Sequence, residues 1–235
     1  MDQWDKGDVQ DLRGACYRRD ANGIVEALRR RPINDVLQMA GDGLLVALDQ
    51  HAPEAAELAA ECETALRTRD WQGDEELADQ LSAALGHGPT PMLRPLKIDL
   101  EEVAELLEGD PTEGGGWIDL DTGVGWPESI DFEEAGLCDD ELDDPDRWLQ
   151  VPGEGSHHGY RDMELFIVTI DDPTIADRLD IAISGKGAFR RFKDVLSRWP
   201  DELQRYFRFS EERKRGRARA WLAAQGHQPV GAPRV

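Results

Sequence analysis

Apolar residues recur every three or four positions throughout the first third of the chain. The first such stretch covers residues 9–16 and the last covers residues 77–85. This spacing places apolar side chains along one face of a helix. Because each apolar face is narrow, the helices must pack against one another to bury it. Residues 1–88 are therefore predicted to form an all-helical N-terminal domain.

The pattern of apolar positions changes after residue 88. Three prolines within residues 89–95 interrupt the helical periodicity and predict a linker. Beyond the linker, residues 117–126 alternate in character around the turn sequence Asp121-Thr-Gly123, which predicts a β-hairpin. Residues 148–152 predict a further strand, which ends at a proline.

Helical periodicity returns after this strand, and the last predicted stretch is one helix or two. The predicted helices cover residues 160–170, 172–183, 187–196 and 202–224. The fold class is therefore predicted as α+β, with the helical N-terminal domain followed by a small antiparallel sheet packed with several helices. This second domain is assigned to residues 96–228, and residues 229–235 are predicted to be a flexible tail.

Charge is distributed unevenly along the chain. The net charge is −22, and residues 1–180 hold 14 Lys and Arg against 44 Asp and Glu. Residues 181–235 reverse this balance, with 13 Lys and Arg against 5 Asp and Glu. The acidic part repels phosphates and disfavours general nucleic-acid binding, whereas the basic end predicts a local surface that faces anions.

The sequence gives no indication of a membrane or a secretory route. No apolar run approaches the roughly 18 residues that span a bilayer, and the first residues lack the basic start and apolar stretch of a signal peptide. We therefore expect a cytoplasmic, bacterial-type protein. Its three cysteines lie far apart in the sequence and are expected to be free thiols.

The clearest candidate site is a basic helix that follows two glycines. Glycines before a helix let backbone N–H groups point outward, and the helix N-terminus adds partial positive charge. A phosphate, a carboxylate or an acidic peptide would suit such a site, although the spacing of a nucleotide-binding P-loop is absent. The candidate anion- or partner-binding residues are Gly185, Lys186, Gly187, Arg190, Arg191 and Lys193.

A structural interpretation of the same segment stays open. Its apolar residues have helical spacing and are expected to be core: Phe189, Phe192, Leu196 and Trp199. In this interpretation the basic residues pair with carboxylates of the protein itself, for example Asp162 or Glu164. The basic run at residues 211–219 also has alternatives, since it would bind nucleic acid, bind a protein partner, or form a face that is solvated or paired internally.

Other candidate chemistry is sparse. Tyr160 and Glu164 are one helical turn apart and would face a common cleft, where a tyrosine and a carboxylate can do acid–base work. The adjacent His157 and His158 lack further ligands at metal-binding spacing. We expect no metal and no cofactor.

Two segments resemble a known family. One runs from Tyr160-Arg-Asp-Met-Glu164 through Gly185-Lys-Gly-Ala-Phe-Arg-Arg-Phe-Lys-Asp194 to Trp221-Leu222, and the other is the hairpin Ile118-Asp-Leu-Asp-Thr-Gly-Val124. Together they resemble the uncharacterised protein family numbered 158 of the UPF series, over about residues 96–228. The resemblance implies a domain shape but no established activity.

Three functions are compatible with the sequence. The favoured one is a non-enzymatic interaction or regulatory protein that binds an acidic or phosphorylated partner through the glycine-flanked basic helix. The alternatives are a nucleic-acid or nucleotide-binding protein that uses residues 185–219, and an enzyme of unknown class with a site near Tyr160, Glu164 and Lys186. A protein partner is favoured over nucleic acid, and the oligomeric state is left open.

Overall fold

The computed structural model describes residues 4–130 and 142–230. Within them the chain forms ten α-helices and five short strands. Cys138, residues 139–141 of the acidic stretch and residues 231–235 of the predicted tail lie outside the described residues. No helix within the described ranges has the length and apolarity that crossing a bilayer requires.

The first five helices are all in the N-terminal region, where the sequence predicts them. They are α1 (Lys6–Tyr17), α2 (Ala21–Arg29), α3 (Leu37–Asp49), α4 (Ala55–Arg69) and α5 (Asp74–Ala84). Asp5 and Asp8 form a capping box at the start of α1, and Asp20 caps α2. Helix α3 differs, because Val36 at its N-cap position offers no side-chain acceptor.

The sheet and the remaining helices follow. The middle of the chain contains β1 (Arg94–Leu96), α6 (Leu100–Leu107), β2 (Gly116–Asp119), β3 (Gly125–Pro127) and β4 (Trp148–Val151). The last part contains α7 (His157–Val168), α8 (Pro173–Ile183), α9 (Ala188–Leu196), α10 (Pro200–Ala224) and β5 (His227–Pro229). The α+β fold class is therefore confirmed.

The predicted hairpin and third strand form one antiparallel sheet in the order β3-β2-β4, with Trp117 opposite Trp126 and Gln150. A second, parallel pair of strands was not expected: β1 lies beside β5, and the N–H of Val230 donates to Leu96. Residues 229 and 230, assigned to the flexible tail from the sequence, are therefore held by backbone hydrogen bonding next to β1.

Helix α10 is a single helix of 25 residues, which decides between the one-helix and two-helix alternatives. At 1.5 Å per residue it is about 37 Å long, and it packs against two apolar cores. Tyr206 contributes to the core of α7, α8 and α9, whereas Ala218 and Leu222 contribute to the core of the sheet and α6. A third face of α10 contacts the N-terminal helices α3 and α5.

Contact between α10 and the N-terminal helices depends on buried polar groups. The Glu212 carboxylate accepts hydrogen bonds from the backbone N–H groups of Gln38 (2.7 Å) and Met39 (3.3 Å), and so caps α3. Arg69 donates to the same carboxylate at 2.9 Å. Gly216 lies directly against the backbone of Gln72. The domain limits at residues 88 and 96 stay a prediction. Helix α10 makes these contacts across the predicted limits.

Candidate protein-binding cleft

Helix α9 follows a short turn that contains the two glycines of the candidate site. Gly185 and Gly187 have φ values of +79° and +78°, a region that residues with a side chain rarely adopt. Gly187 is the N-cap of α9. The turn redirects the chain after α8, so that the basic side of α9 faces outward and Phe192 faces the core.

Phe192 is the buried aromatic residue of α9, as predicted. Its ring is fully buried and packs edge-on against Tyr206, with ring centroids 4.8 Å apart, and against Phe166, at 6.4 Å. Leu196 is also fully buried, and Trp199 is half-buried at the edge of the same core.

Phe189 was expected in the core, and this prediction is wrong. The residue is 36% exposed. Its ring lies over Gly159 of α7, so close that a Cβ atom on that glycine would be 3.0 Å from the ring. The backbone of α7 therefore occupies the space beneath Phe189, and the ring stays at the surface.

Two alanine substitutions distinguish the roles of these rings. We expect Phe192→Ala to lower the free energy of unfolding by about 3–5 kcal/mol, because it empties a buried space. Phe189→Ala should cost about 1 kcal/mol, because only part of its apolar surface is removed from water. Chemical denaturation of both variants checks this, and equal costs would show that Phe189 is a core residue.

Arg191 contributes to the local fold. Its guanidinium donates hydrogen bonds to the backbone carbonyls of Ala182 (3.0 Å), Ser184 (2.5 Å) and Gly185 (3.2 Å), as well as to Lys186. These carbonyls belong to the end of α8 and the turn, where helical partners are missing. The guanidinium is therefore engaged by backbone carbonyls and fixes the turn before α9.

The remaining cations of the segment point to solvent, and we call Lys186, Arg190 and Lys193 the α9 face. The side chain of Arg190 is 90% exposed and lies 3.7 Å from Asp194, a contact that is weak at the surface. Neither lysine forms an ion pair with any residue that the structure describes. The α9 face is thus an exposed positive surface on a protein of net charge −22.

The carboxylates suggested as internal partners of the α9 face are engaged elsewhere. Asp162 is buried and bound by Arg213 and Arg217. Glu164 pairs with Arg161 on its own helix at 3.0 Å. The expected pairing of the α9 face with either carboxylate is therefore not found.

A cleft of about 520 Å³ adjoins the α9 face. Phe189 and Lys193 contribute to one side, and Phe207 and Lys214 of α10 contribute to another. Phe207 is 43% exposed, so two aromatic rings are accessible in the same cleft. We call it the aromatic cleft. It combines apolar contact area with cations, which suits an amphipathic, negatively charged chain segment.

One wall of the aromatic cleft is acidic. Helix α6 contributes Glu101 and Glu105, its C-cap contributes Glu108, and Lys214 donates to Glu108 at 2.8 Å. Lys193 lies on the other side, next to Phe189. The positive potential is therefore concentrated at the α9 side of the cleft, and a bound acidic segment would be directed toward that side.

The basic run of α10 is engaged inside the protein. Arg213 and Arg217 bind Asp162 of α7, with Arg217 at 2.9 Å. Arg215 and Arg219 bind Asp42 of α3 on the opposite side of α10. The arginines of this run thus join α10 to its neighbours. Among the alternatives that the sequence left open for this basic run, these arginines follow the one in which they pair inside the protein.

Tyr160 and Glu164 do not form a shared site. The Tyr160 hydroxyl donates to the carbonyl of Ile183 at 3.3 Å, and neither residue lines the aromatic cleft. His158 lies 3.0 Å from the carboxylate of Glu154, and burial lowers the pKa of its ring below the ordinary value. Across residues 4–130 and 142–230, no three His, Cys, Asp or Glu side chains are grouped to hold a metal ion.

Sequence comparisons agree with the resemblance noted above. A sequence model of the uncharacterised protein family UPF0158 matches residues 116–233, about half of the chain. UPF0158 protein PA5073 of Pseudomonas aeruginosa is 28% identical over 143 residues, which cover 59% of this chain and 89% of that protein. No solved structure matches. The matched residues include the sheet, α7 to α10 and the α9 face, and the chain belongs to the uncharacterised protein family UPF0158.

Proposed function

We propose that the chain is a non-enzymatic protein-binding module that recognises an acidic segment of a partner protein through the α9 face and the aromatic cleft. The observation that carries this proposal is the position of Phe189 and Phe207. Both rings are solvent-accessible in one cleft, beside the exposed Lys193. Aromatic residues beside cations are typical of the few positions that supply most of the binding energy at protein interfaces.

The charges support an acidic partner. Most cations near the α9 face are engaged by carboxylates or carbonyls, whereas Lys186 and Lys193 are exposed and form no ion pair among the described residues. A carboxylate or phosphoryl group that contacts them adds a charge-assisted hydrogen bond without breaking an existing ion pair. Apolar side chains of the same segment would cover the two phenylalanine rings.

The pairing of the α10 arginines disfavours the nucleic-acid alternative. Arg213, Arg215, Arg217 and Arg219 are bound to Asp162 and Asp42. Nucleic-acid binding draws on many cations along a backbone with one charge per about 1.7 Å of duplex. The α9 face offers three exposed cations, enough for a few acidic groups of a short segment but too few to follow a nucleic-acid backbone.

The enzyme alternative has less support, because Tyr160 and Glu164 have local partners and do not meet Lys186 in a shared cleft. An intracellular location remains part of the proposal. It rests on the cysteines, which show no disulfide pairing pattern in the sequence.

Fluorescence anisotropy with defined probes tests the function. The probes are a labelled peptide of glutamates around a central tryptophan, its phosphoserine and lysine counterparts, and a single-stranded DNA oligonucleotide. Measurements are made at about 0.15 M ionic strength, where the Debye length of about 8 Å screens distant carboxylates but spares direct contacts. The test variant is Lys186→Gln/Arg190→Gln/Lys193→Gln. The control is Lys6→Gln/Arg18→Gln/Lys97→Gln, which changes net charge equally at exposed positions elsewhere.

We expect the acidic and phosphorylated peptides to bind wild type and the control, and the test variant to bind them about tenfold more weakly, equivalent to about 1.4 kcal/mol. Comparing the glutamate and phosphoserine peptides decides which acidic group is preferred. Tighter binding of the lysine peptide or of DNA, or equal loss in both variants, would refute the proposed function.

A further inference from the structure

A second cavity, of about 480 Å³, lies where the N-terminal helices meet α6, α10 and the end of β5. Its size is within the range of small-molecule sites. The cavity is separate from the aromatic cleft, although Glu101 and Arg215 lie between them and line both. The principal apolar residues that line it are Met39, Leu45, Val46, Ile98, Leu100 and Pro229.

The arginines at this cavity are engaged by carboxylates. Arg215 donates to Glu101 at 2.8 Å and lies 3.5 Å from Asp42. Arg13 is 3.4 Å from the same Glu101 oxygen, and Arg19 is 4.0 Å from Asp49. A ligand anion would therefore have to compete with carboxylates already in place. The three guanidinium groups offer no ready anion site.

Carboxylates outnumber guanidinium groups around the cavity. Four acidic residues line it against three arginines: Asp42, Asp49, Asp99 and Glu101 against Arg13, Arg19 and Arg215. Among the carboxylates of the cavity that form ion pairs, Asp49 is the most accessible, with a side chain that is 76% exposed. The surrounding part of the chain is itself strongly acidic. The cavity thus has negative potential over an apolar floor.

An aromatic ring adds a second feature that favours cations. Tyr17 lines the cavity and is 56% exposed. The face of a tyrosine ring attracts ammonium and guanidinium groups, and the attraction grows when the cation is partly removed from water. Tyr17, Asp49 and the apolar residues line the same cavity.

We propose that this cavity binds a small organic cation with an apolar body, such as an aryl-alkyl amine. The apolar body contacts Leu45, Val46 and Leu100, and the ammonium group lies toward Asp49 and the Tyr17 ring. Because the walls come from both the N-terminal helices and the UPF0158 region, a bound ligand would stabilise their contact. This inference is independent of the protein-binding function.

Cys16 is among the residues that line the cavity, and it provides a reporter of occupancy. Burial, assisted by the charge of Asp42, raises the pKa of Cys16 to about 12. Little thiolate is present at neutral pH, so alkylation is slow and its rate is measurable. A Cys138→Ser background removes the competing thiol, and Cys62 is buried.

The test uses three probes with one phenylpropyl body: 3-phenylpropylamine, 3-phenylpropanol and 3-phenylpropionate. Binding is measured by thermal shift and by protection of Cys16 from maleimide. The test variant is Asp49→Asn, whose exposed side chain leaves folding unchanged. The matched control is Glu26→Gln, which also removes one carboxylate from an exposed ion pair, here with Arg30 and outside the cavity.

We expect the amine to bind at least about tenfold more tightly than the carboxylate, with the alcohol between them. Asp49→Asn should weaken amine binding about threefold or more, and Glu26→Gln should leave it unchanged. Equal or tighter binding of 3-phenylpropionate, equal effects of the two variants, or failure of all three probes to protect Cys16 would overturn the proposal.

Discussion

Replacing Gly216 with alanine is expected to lower the free energy of unfolding by about 3 kcal/mol, because the added methyl group has no space. A Cβ atom at this position would lie 2.1 Å from the carbonyl oxygen of Gln72, and one at Gly73 would lie 2.1 Å from the Gly216 carbonyl. Backbone faces backbone here, so no side chain can rotate away. Helix α10 would have to move off the loop before α5.

Gly14→Ala is the matched control for this substitution. Gly14 is also a helical glycine, but the nearest atom to its Cβ position is the flexible tip of Arg18, at 3.1 Å. Alanine should therefore be tolerated there and gain up to about 1 kcal/mol of helix propensity. Urea denaturation of both variants gives the comparison. If Gly216→Ala were as stable as Gly14→Ala, the close approach of α10 to the N-terminal helices would be wrong.

The second large effect is expected at Glu212. Removing its carboxylate in Glu212→Ala should cost about 3–5 kcal/mol, because a buried ion pair loses one partner. Two backbone N–H groups at the start of α3 would lose their acceptor, and Arg69 would lose one of its two carboxylate partners and keep Asp74. Glu212→Gln retains one acceptor oxygen and should cost less, about 1–3 kcal/mol.

Burial raises the pKa of Glu212 above its ordinary value, although Arg69 and the N–H groups of Gln38 and Met39 oppose this shift. Burying the charge of Glu212 therefore costs free energy. The main effect of this carboxylate is to fix how α10 packs against α3. Glu164→Ala provides the control, since Glu164 belongs to an exposed pair with Arg161 and should cost at most about 1 kcal/mol. Equal unfolding free energies for Glu212→Ala and Glu164→Ala would contradict the capping role.

Local features of this fold could be predicted from the sequence. The hairpin follows from alternation around Asp121-Thr-Gly123, and α8 begins at Pro173, where the Asp172 side chain accepts a hydrogen bond from the N–H of Thr174. Both depend on residues close together in the chain. The family resemblance rests on the hairpin and on the stretch from Tyr160 to Leu222, and the family model matches residues 116–233, which contain both.

Helical periodicity alone could not decide which phenylalanine of α9 is buried. Phe189 and Phe192 are three positions apart and project from neighbouring directions of one helix. The deciding neighbour is Gly159, which is 30 positions earlier in the chain and brings the α7 backbone beneath Phe189. The aromatic cleft was missed for the same reason, because Phe207 reaches it from another helix.

The basic run of α10 illustrates a signal that was present in the sequence. Successive residues turn by about 100°, so Arg213 and Arg217 share one side of the helix and Arg215 and Arg219 share another. This pattern predicts two separate contacts rather than one continuous basic surface. The identity of the partners, Asp162 and Asp42, depends on tertiary packing and had no local signal.

The most direct test of the binding function is a peptide-display selection on two immobilised proteins, wild type and Lys186→Glu/Arg190→Glu/Lys193→Glu. The substituted side chains are exposed, so the variant should fold like wild type, which circular dichroism checks. We expect wild type to enrich acidic peptides that contain an aromatic or aliphatic residue, and the variant to lose them. Enrichment of the same peptides on both proteins, or of no acidic peptides on wild type, would contradict recognition through the α9 face.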